Sequence, residues 1–169
     1  MRQNNRGYSL VELVVVIAIM AVLTGFVVLS VSMISTKKAK QCRDELESKL
    51  EYVRTVNLSK SATVANIYKN AEGEYVLKLK TTVKGVETET EYPLDSKGCT
   101  MRYSKEVTAV YSDTLPEVDD TGIFIEFDRS SGAIKKDASD ECIRHIYVTK
   151  GNKTYGIKFY QETGKMEME

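Results

Sequence analysis

The sequence predicts an α+β fold in which a long N-terminal helix packs on an antiparallel β-sheet. Three features of the 169-residue chain lead to this prediction. An uncharged apolar run covers residues 13–34, an amphipathic repeat follows it, and short alternating segments joined by glycine turns fill the remainder. A chain of this length holds one modest domain beside an apolar anchor, but not two independent hydrophobic cores.

The apolar run is long enough to be a membrane-spanning helix. Its 22 residues would form a helix of about 33 Å, against a bilayer hydrocarbon core of about 30 Å. A secretory signal peptide has a shorter apolar region followed by a small-residue cleavage site, and this run has neither feature. An ordinary signal anchor remains open. Basic residues flank the run on both sides, so the charge rule for membrane topology does not decide its orientation.

The overall charge and the motifs argue against several classes of function. Lysine plus arginine and aspartate plus glutamate balance at 24 each, so no net field attracts nucleic acid, and a nucleic-acid partner is not indicated. The sequence contains no glycine-rich phosphate loop, no HExxH motif and no GxSxG motif. We therefore expect neither catalysis nor a bound cofactor.

The amphipathic repeat predicts a helix with one buried face. Apolar residues recur at intervals of three and four, and charged residues stand between them. Residues 26–60 contain no proline or glycine, so the apolar run and the repeat are expected to form one continuous helix. The predicted buried positions are Ala39, Cys42, Leu46, Leu50 and Val53, with Val56 at the edge of the set.

The remaining sequence predicts short antiparallel strands. Alternating side chains on both sides of Lys84-Gly85 indicate a hairpin formed by residues 75–80 and 86–92. Turn sequences such as Ser131-Gly132, Gly151-Asn152 and Thr163-Gly164 separate the later segments. The further predicted strands are residues 99–103, 107–111, 122–127, 143–149, 154–160 and 165–168.

The N-terminus carries a motif that resembles that of a known family. A short basic leader ends at Gly7, an aromatic residue follows at Tyr8, and Glu12 stands five positions after the glycine at the head of the apolar run. This arrangement resembles the signal of type IV prepilins and type II secretion pseudopilins. The C-terminal order of strand, glycine turn and final Thr-Gly-Lys hairpin is similar to H-type pseudopilins and FimT-like minor pilins.

The resemblance implies a processing and assembly pathway. A prepilin peptidase would cut between Gly7 and Tyr8 and methylate the new Tyr8 amine. Glu12 would pair with the N-terminus of a neighbouring pilin-like subunit, and an inner-membrane assembly platform would be a further partner. Membrane lipid would surround the helix before assembly, with the N-terminus cytoplasmic and the C-terminal domain extracytoplasmic. An unprocessed, membrane-tethered binding or sensor domain is the alternative.

The resemblance also divides the chain. It implies a leader over residues 1–7, a membrane or filament-core helix over residues 8–35, an amphipathic continuation over residues 36–62, and a β-rich domain over residues 63–169. Which machine the subunit serves, whether pilus, competence pilus or secretion pseudopilus, stays open, with a minor subunit preferred over a major one.

The cysteines and the acidic cluster are the remaining candidate sites. In an oxidising compartment Cys99 and Cys142, each at the start of a predicted strand, form the preferred disulfide pair, and three reduced thiols are the alternative. The cysteines lack metal-binding spacing. His145, the single histidine, is expected on a strand surface. The last candidates are Glu117, Asp119 and Asp120, which are interpreted as a solvated acidic turn, with Ca²⁺ binding left open.

Overall fold

The computed structural model describes residues 9–59, 61–108 and 114–169, apart from the side chains of residues 25–36. The chain divides into two compact units, Met1–Ser35 and Thr36–Glu169. Every sheet strand and the hydrophobic core belong to the second unit.

The helix α1 covers Leu10–Leu58, a length of 49 residues. It therefore includes both the apolar run and the amphipathic repeat, as the absence of proline and glycine from residues 26–60 predicted. At its end the Ser59 N–H donates to the Thr55 carbonyl at 3.1 Å, and the Ser59 hydroxyl donates to the Val56 carbonyl at 2.7 Å. These bonds satisfy carbonyl groups that have no partner within the last helical turn.

The amphipathic half of α1 lays one stripe of side chains into the core. The predicted positions Ala39, Cys42, Leu46, Leu50 and Val53 are all fully buried, which confirms the helical period. Burying one leucine or valine side chain contributes about 1.5–3 kcal/mol. The last buried residue of the stripe is polar. Asn57 is 1% exposed, whereas the neighbouring Val56, which was predicted at the edge of the set, is only half-buried.

In the described part of the chain, eight strands follow the helix. They are β1 (Ala62–Lys69), β2 (Tyr75–Val83), β3 (Val86–Pro93), β4 (Thr100–Ser104), β5 (Ile123–Glu126), β6 (His145–Lys150), β7 (Lys153–Tyr160) and β8 (Lys165–Met168). They form two four-stranded antiparallel sheets with the orders β3-β2-β1-β5 and β4-β6-β7-β8. The prediction of antiparallel pairing is confirmed, but the single sheet of the sequence prediction is in fact two.

Two differences from the predicted strands concern particular segments. The strand β1 was not predicted, although it lies between β2 and β5 in the first sheet. In the predicted strand 107–111, Val107 and Thr108 form a turn, and the other three positions lie outside the described residues. Segment 116–118 instead covers the outer edge of β4, since the Tyr103 N–H donates to the Pro116 carbonyl at 3.1 Å.

The β2–β3 hairpin has the predicted turn. Lys84 and Gly85 have φ angles of 51° and 83°, the left-handed pair that a two-residue hairpin turn requires. The register brings Lys78 opposite Glu91 and Lys80 opposite Glu89. Lys78 forms an ion pair with Glu89 at 2.7 Å across this exposed face.

The core is one cluster that takes side chains from α1 and from both sheets. Tyr75, at the start of β2, is fully buried and polar at both ends. Its N–H donates to the Ser96 Oγ at 2.7 Å, and its hydroxyl oxygen accepts the Met101 N–H at 2.9 Å. Each polar group of the tyrosine therefore keeps a partner inside the core, which removes the desolvation penalty of burying it.

Candidate functional site: the N-terminal helix

The first turn of α1 is built by Ser9 and Glu12. Ser9 precedes the helix, and its Oγ accepts the Val11 N–H at 3.2 Å while its carbonyl accepts the Leu13 N–H at 3.1 Å. Ser9 is therefore the N-cap residue. Glu12 occupies the third helical position and is exposed, where its negative charge is favoured by the partial positive charge of the helix N-terminus.

Ser9 was not predicted as a cap, although the sequence contains a signal for it. A serine followed three residues later by glutamate, directly before an apolar run, is the signature of a capping box. The sequence predicts an assembly role for Glu12, because a carboxylate beside an apolar membrane helix requires a partner. The structure gives this carboxylate a second, local role in the first turn, which any test of Glu12 has to separate from assembly.

The helix beyond this turn is apolar and exposed on all sides. Residues 13–17 are five consecutive large apolar side chains, which is more than one full helical turn. The least exposed of them, Val16, is 45% exposed, and Leu10 reaches 79%. A helix that is hydrophobic all round is stable only when other apolar groups or lipid cover it. The composition of this segment therefore suits a helix that is surrounded by lipid or by other apolar helices.

The hydroxyl of Thr24 donates to the carbonyls of Met20 and Ala21 at 2.8 and 3.0 Å. Its polar group thus has partners on the helix itself.

Among the described residues, no helix combines the length and the apolar character needed to cross a membrane. The membrane span predicted over residues 13–34 stays a prediction. The predicted cleavage site, Gly7 and Tyr8, lies outside the described residues.

The acidic cluster forms a closed turn. One carboxylate oxygen of Asp119 accepts the Thr121 N–H at 2.9 Å, the Gly122 N–H at 3.1 Å and the Thr121 hydroxyl. These hydrogen bonds lower the pKa of Asp119. Glu117 faces Arg102 at 3.5 Å. Within the described ranges, no three acidic, histidine or cysteine residues are grouped in a way that would hold a metal ion.

The three cysteines are buried free thiols, and the predicted Cys99–Cys142 disulfide is corrected by the strand register. In the antiparallel pairing of β4 with β6, Thr100 lies opposite Thr149 and Ser104 lies opposite His145. Cys99 therefore precedes one end of this ladder and Cys142 lies beyond the other. The five residues of β4 extend over roughly 17 Å, whereas disulfide-bonded residues have Cα atoms within about 7 Å of each other.

The prediction for His145 is also corrected. The side chain is 3% exposed rather than on a strand surface. Four consecutive residues of β6 are buried, because the strand is covered on both faces. Ile146 and Val148 belong to the core cluster, and the His145 ring stacks on Tyr147 with 5.8 Å between ring centroids.

A cleft of about 300 Å³ lies beside β5. The exposed ring of Phe124, with Tyr103 and Ile143, contributes apolar surface to it. Its charged groups pair with one another. Lys105 contacts Asp137 at 2.6 Å, and the Lys135–Glu126 pair is equally close. The cleft therefore presents neutralised charge rather than a free cation or anion for a ligand.

Comparison with known families identifies the N-terminal segment. Residues 2–34 match the family described as "Prokaryotic N-terminal methylation motif". This match includes Gly7, Tyr8 and Glu12 and the exposed apolar part of α1. The motif indicates a prepilin-like substrate and supports the resemblance to type IV pilin-like proteins. Comparison with curated proteins and with solved structures found no significant match.

The class defined by these observations is a chain with a prepilin-type N-terminal segment and an α+β domain. The match ends at residue 34, so it does not reach the segments that resemble H-type pseudopilins and FimT-like minor pilins. That finer resemblance stays a prediction.

Proposed function

We propose that this protein is a pilin-like subunit, preferably a minor one, of a type IV pilus, a competence pilus or a type II secretion pseudopilus. The observation that carries the proposal is the helical segment of residues 13–23, apolar and exposed on every side, inside a methylation-motif segment. Such a surface suits a protein whose helix moves from lipid into the apolar core of a filament. The role is structural rather than catalytic.

The proposed pathway follows from this role. Prepilin peptidase removes residues 1–7 and methylates Tyr8, and the helix of residues 8–35 holds the subunit in the cell membrane. The assembly platform then transfers it to the filament, where Glu12 pairs with the amine of a neighbouring subunit. The helix continues to Leu58 rather than through the predicted residue 62, and the β-rich domain, which begins with β1 at Ala62, lies outside the cytoplasm.

N-terminal sequencing tests the first step of this pathway. When the chain is produced in cells together with an active prepilin peptidase, the mature protein should begin at Tyr8. Gly7→Leu should block the cut and leave the precursor in the membrane, because the apolar run is unchanged. Asn5→Leu is the matched control and should be processed normally.

An intact Met1 in the presence of active peptidase would contradict the proposal. It would favour the alternative class, an unprocessed membrane-tethered binding or sensor domain, for which the cleft beside β5 would be the first surface to examine.

A further inference from the structure

Cys42 and Cys99 are far apart in the sequence but belong to the same core cluster. Cys42 lies on the buried stripe of α1 and is fully buried, and Cys99 directly precedes β4 and is 6% exposed. Both lie in the unit Thr36–Glu169. Two sets of contacts hold their segments against each other.

The first contact joins α1 to the turn that contains Cys99. Lys38 stands one helical turn before Cys42 and so on nearly the same helix face. Its Nζ lies 3.1 Å from a carboxylate oxygen of Asp95. The turn from Asp95 onwards is closed by the Cys99 N–H, which donates to the Ser96 carbonyl at 2.7 Å. The face of α1 that carries Cys42 therefore meets the turn that carries Cys99.

The second set of contacts surrounds Tyr75. Its backbone N–H donates to Ser96 and its hydroxyl accepts from Met101, which lie three residues before and two residues after Cys99 in the sequence. Burial raises the pKa of Tyr75, and the Cys42 and Cys99 thiols both add to this rise. Burial likewise raises the pKa of Cys42 to about 12, with the Cys99 thiol as the next cause. These electrostatic effects agree with the contacts of Lys38, Asp95 and Tyr75, which bring the segments of the two cysteines together.

We propose that Cys42 and Cys99 are the disulfide pair of this protein. The bond forms by exchange with an external disulfide such as oxidised glutathione. One protein thiolate attacks the external disulfide, which releases one small thiol and leaves a mixed disulfide on the protein. The second protein thiolate then displaces the other small thiol and completes the Cys42–Cys99 bond. Two electrons pass from the protein sulfurs to the external disulfide, whose two halves leave as thiols with the two protons.

Cys142 is excluded as the partner of Cys99, because the two residues lie beyond opposite ends of the β4–β6 ladder. Burial raises the pKa of a thiol and so lowers the fraction present as thiolate, which is the nucleophile. Buried thiols therefore react slowly. The bond is therefore expected to form while the chain folds rather than afterwards. The pairing itself depends only on the fold of Thr36–Glu169, whereas its formation in cells rests on the proposed export to an oxidising compartment.

The test refolds the full-length chain from denaturant in detergent with reduced and oxidised glutathione. Remaining thiols are alkylated, the protein is digested, and cross-linked peptides are identified by mass spectrometry. We expect the Cys42 and Cys99 peptides to be joined and Cys142 to be alkylated. A bond from Cys142 to either of the other two cysteines, or three alkylated thiols, would overturn the proposal.

Variants give a second measurement on the same chain. Cys142→Ser should keep both the cross-link and a higher urea midpoint of the oxidised protein, and dithiothreitol should abolish that rise. Cys42→Ser and Cys99→Ser should lose the cross-link and the rise together. Loss of the cross-link in Cys142→Ser alone would also reject the pairing. Mapping of the unsubstituted chain stays informative if a variant fails to fold, and none of these results depends on cleavage at Gly7.

Discussion

His145 is a buried titratable group whose charged form the fold does not support. Its Nδ1 atom has no hydrogen-bond partner among the described residues. Burial lowers the pKa of His145, Glu169 acts in the opposite direction, and Lys158 lowers the pKa further. A proton therefore binds the unfolded chain more readily than the folded one, so protonation favours unfolding.

Stability should fall as the pH drops below the unfolded histidine pKa of about 6.5. The full contribution of the neutral ring is present above this value, and the loss should not exceed about 1.4 kcal/mol per pH unit for one proton. Urea midpoints measured about one unit above and one unit below 6.5 would show the effect. His145→Phe should remove the dependence, and an unchanged slope in that variant would contradict the assignment.

Carboxylates titrate in a separate and lower window. Hydrogen bonds from Ser130 and Ser131 hold the pKa of Asp128 far below its usual range, and the Lys105 ammonium is the main cause of the lowered pKa of Asp137. Stability that depends on such groups is present above about pH 4 and is lost as the pH falls through their folded pKa values. They do not obscure the histidine window.

Gly164 is required by a close backbone contact. A Cβ atom at this position would lie 1.9 Å from the Gly132 carbonyl oxygen, and the residue has a φ angle of +61°. We expect Gly164→Ala to destabilise the fold by about 3 kcal/mol or more, since backbone rather than a flexible side chain must move.

Gly85→Ala is the matched control for this substitution. Gly85 has a φ angle of +83°, but nothing lies within 4 Å of the added Cβ. This variant should cost only the conformational strain of about 1–2 kcal/mol. Urea unfolding of both variants measures the difference. Equal losses would show that the contact with Gly132 is relieved at no cost.

Asn57 joins the end of α1 to β1 and to the residue directly after β5 in the first sheet. Its Nδ2 donates to the Thr63 carbonyl at 2.8 Å and to the Phe127 carbonyl at 3.2 Å, while its Oδ1 accepts the Thr63 N–H at 2.6 Å. All of these bonds are buried. One amide side chain thus satisfies backbone groups on β1 and directly after β5.

Asn57→Ala should destabilise the protein by about 2–4 kcal/mol, because it leaves buried backbone groups without partners. Val56→Ala, at the adjacent half-buried position, should cost only about 1 kcal/mol. Chemical denaturation of the two variants tests the difference. A loss at Asn57 no larger than at Val56 would show that water replaces the amide.

The helix and most strands could be predicted because their signals are local. The three- and four-residue spacing from Ala39 to Val53 depends only on helix geometry, and all five predicted positions are buried. The prediction for the next position, Val56, was less accurate, because the buried stripe continues to Asn57 instead. A search for regularly spaced apolar residues does not detect a buried polar residue. The partners that make its burial favourable come from Thr63 and Phe127, which lie in other elements.

The strand β1 shows a different limit. Its buried residues include Thr63, Ala65 and Ile67 at alternate positions, but threonine and alanine carry a weak apolar signal. Its neighbours β2 and β5 are separated in sequence by residues 84–122. The strand lies inside the sheet because it pairs with β5, which is distant in the sequence. The local alternation of apolar and polar residues does not reveal such a pairing.

The molecule as a whole pairs a domain with its own core and a helical segment whose apolar surface is exposed. Glu12 stands at the head of that surface. If it pairs with the amine of a neighbouring subunit, Glu12→Val and Glu12→Gln should both reduce assembly while insertion and leader cleavage continue. Leaving one charge of a buried pair without its partner typically costs about 3–5 kcal/mol. Incorporation into sheared filaments, or cross-linking to partner subunits in membranes, measures the loss.

Ser9→Ala separates assembly from helix capping. This variant removes the Oγ atom that accepts the Val11 N–H but keeps the Glu12 charge, and an N-cap loss typically costs about 1 kcal/mol. Assembly close to that of the natural sequence is expected. If Ser9→Ala fails as severely as Glu12→Gln, stabilisation of the first helical turn, rather than pairing with a neighbouring amine, explains the effect of Glu12. Full incorporation of both Glu12 variants would instead favour the tethered binding domain.

The amino-acid order alone was enough for the α+β class, the unbroken helix, the β2–β3 hairpin and the N-terminal motif, because each depends on neighbours within a few turns or one strand pair. Three-dimensional packing was needed to divide the strands into two sheets, to bury His145, and to exclude the Cys99–Cys142 disulfide by placing those residues beyond opposite ends of the β4–β6 ladder. These outcomes depend on which distant segments pair and in what register, and no local period encodes that choice.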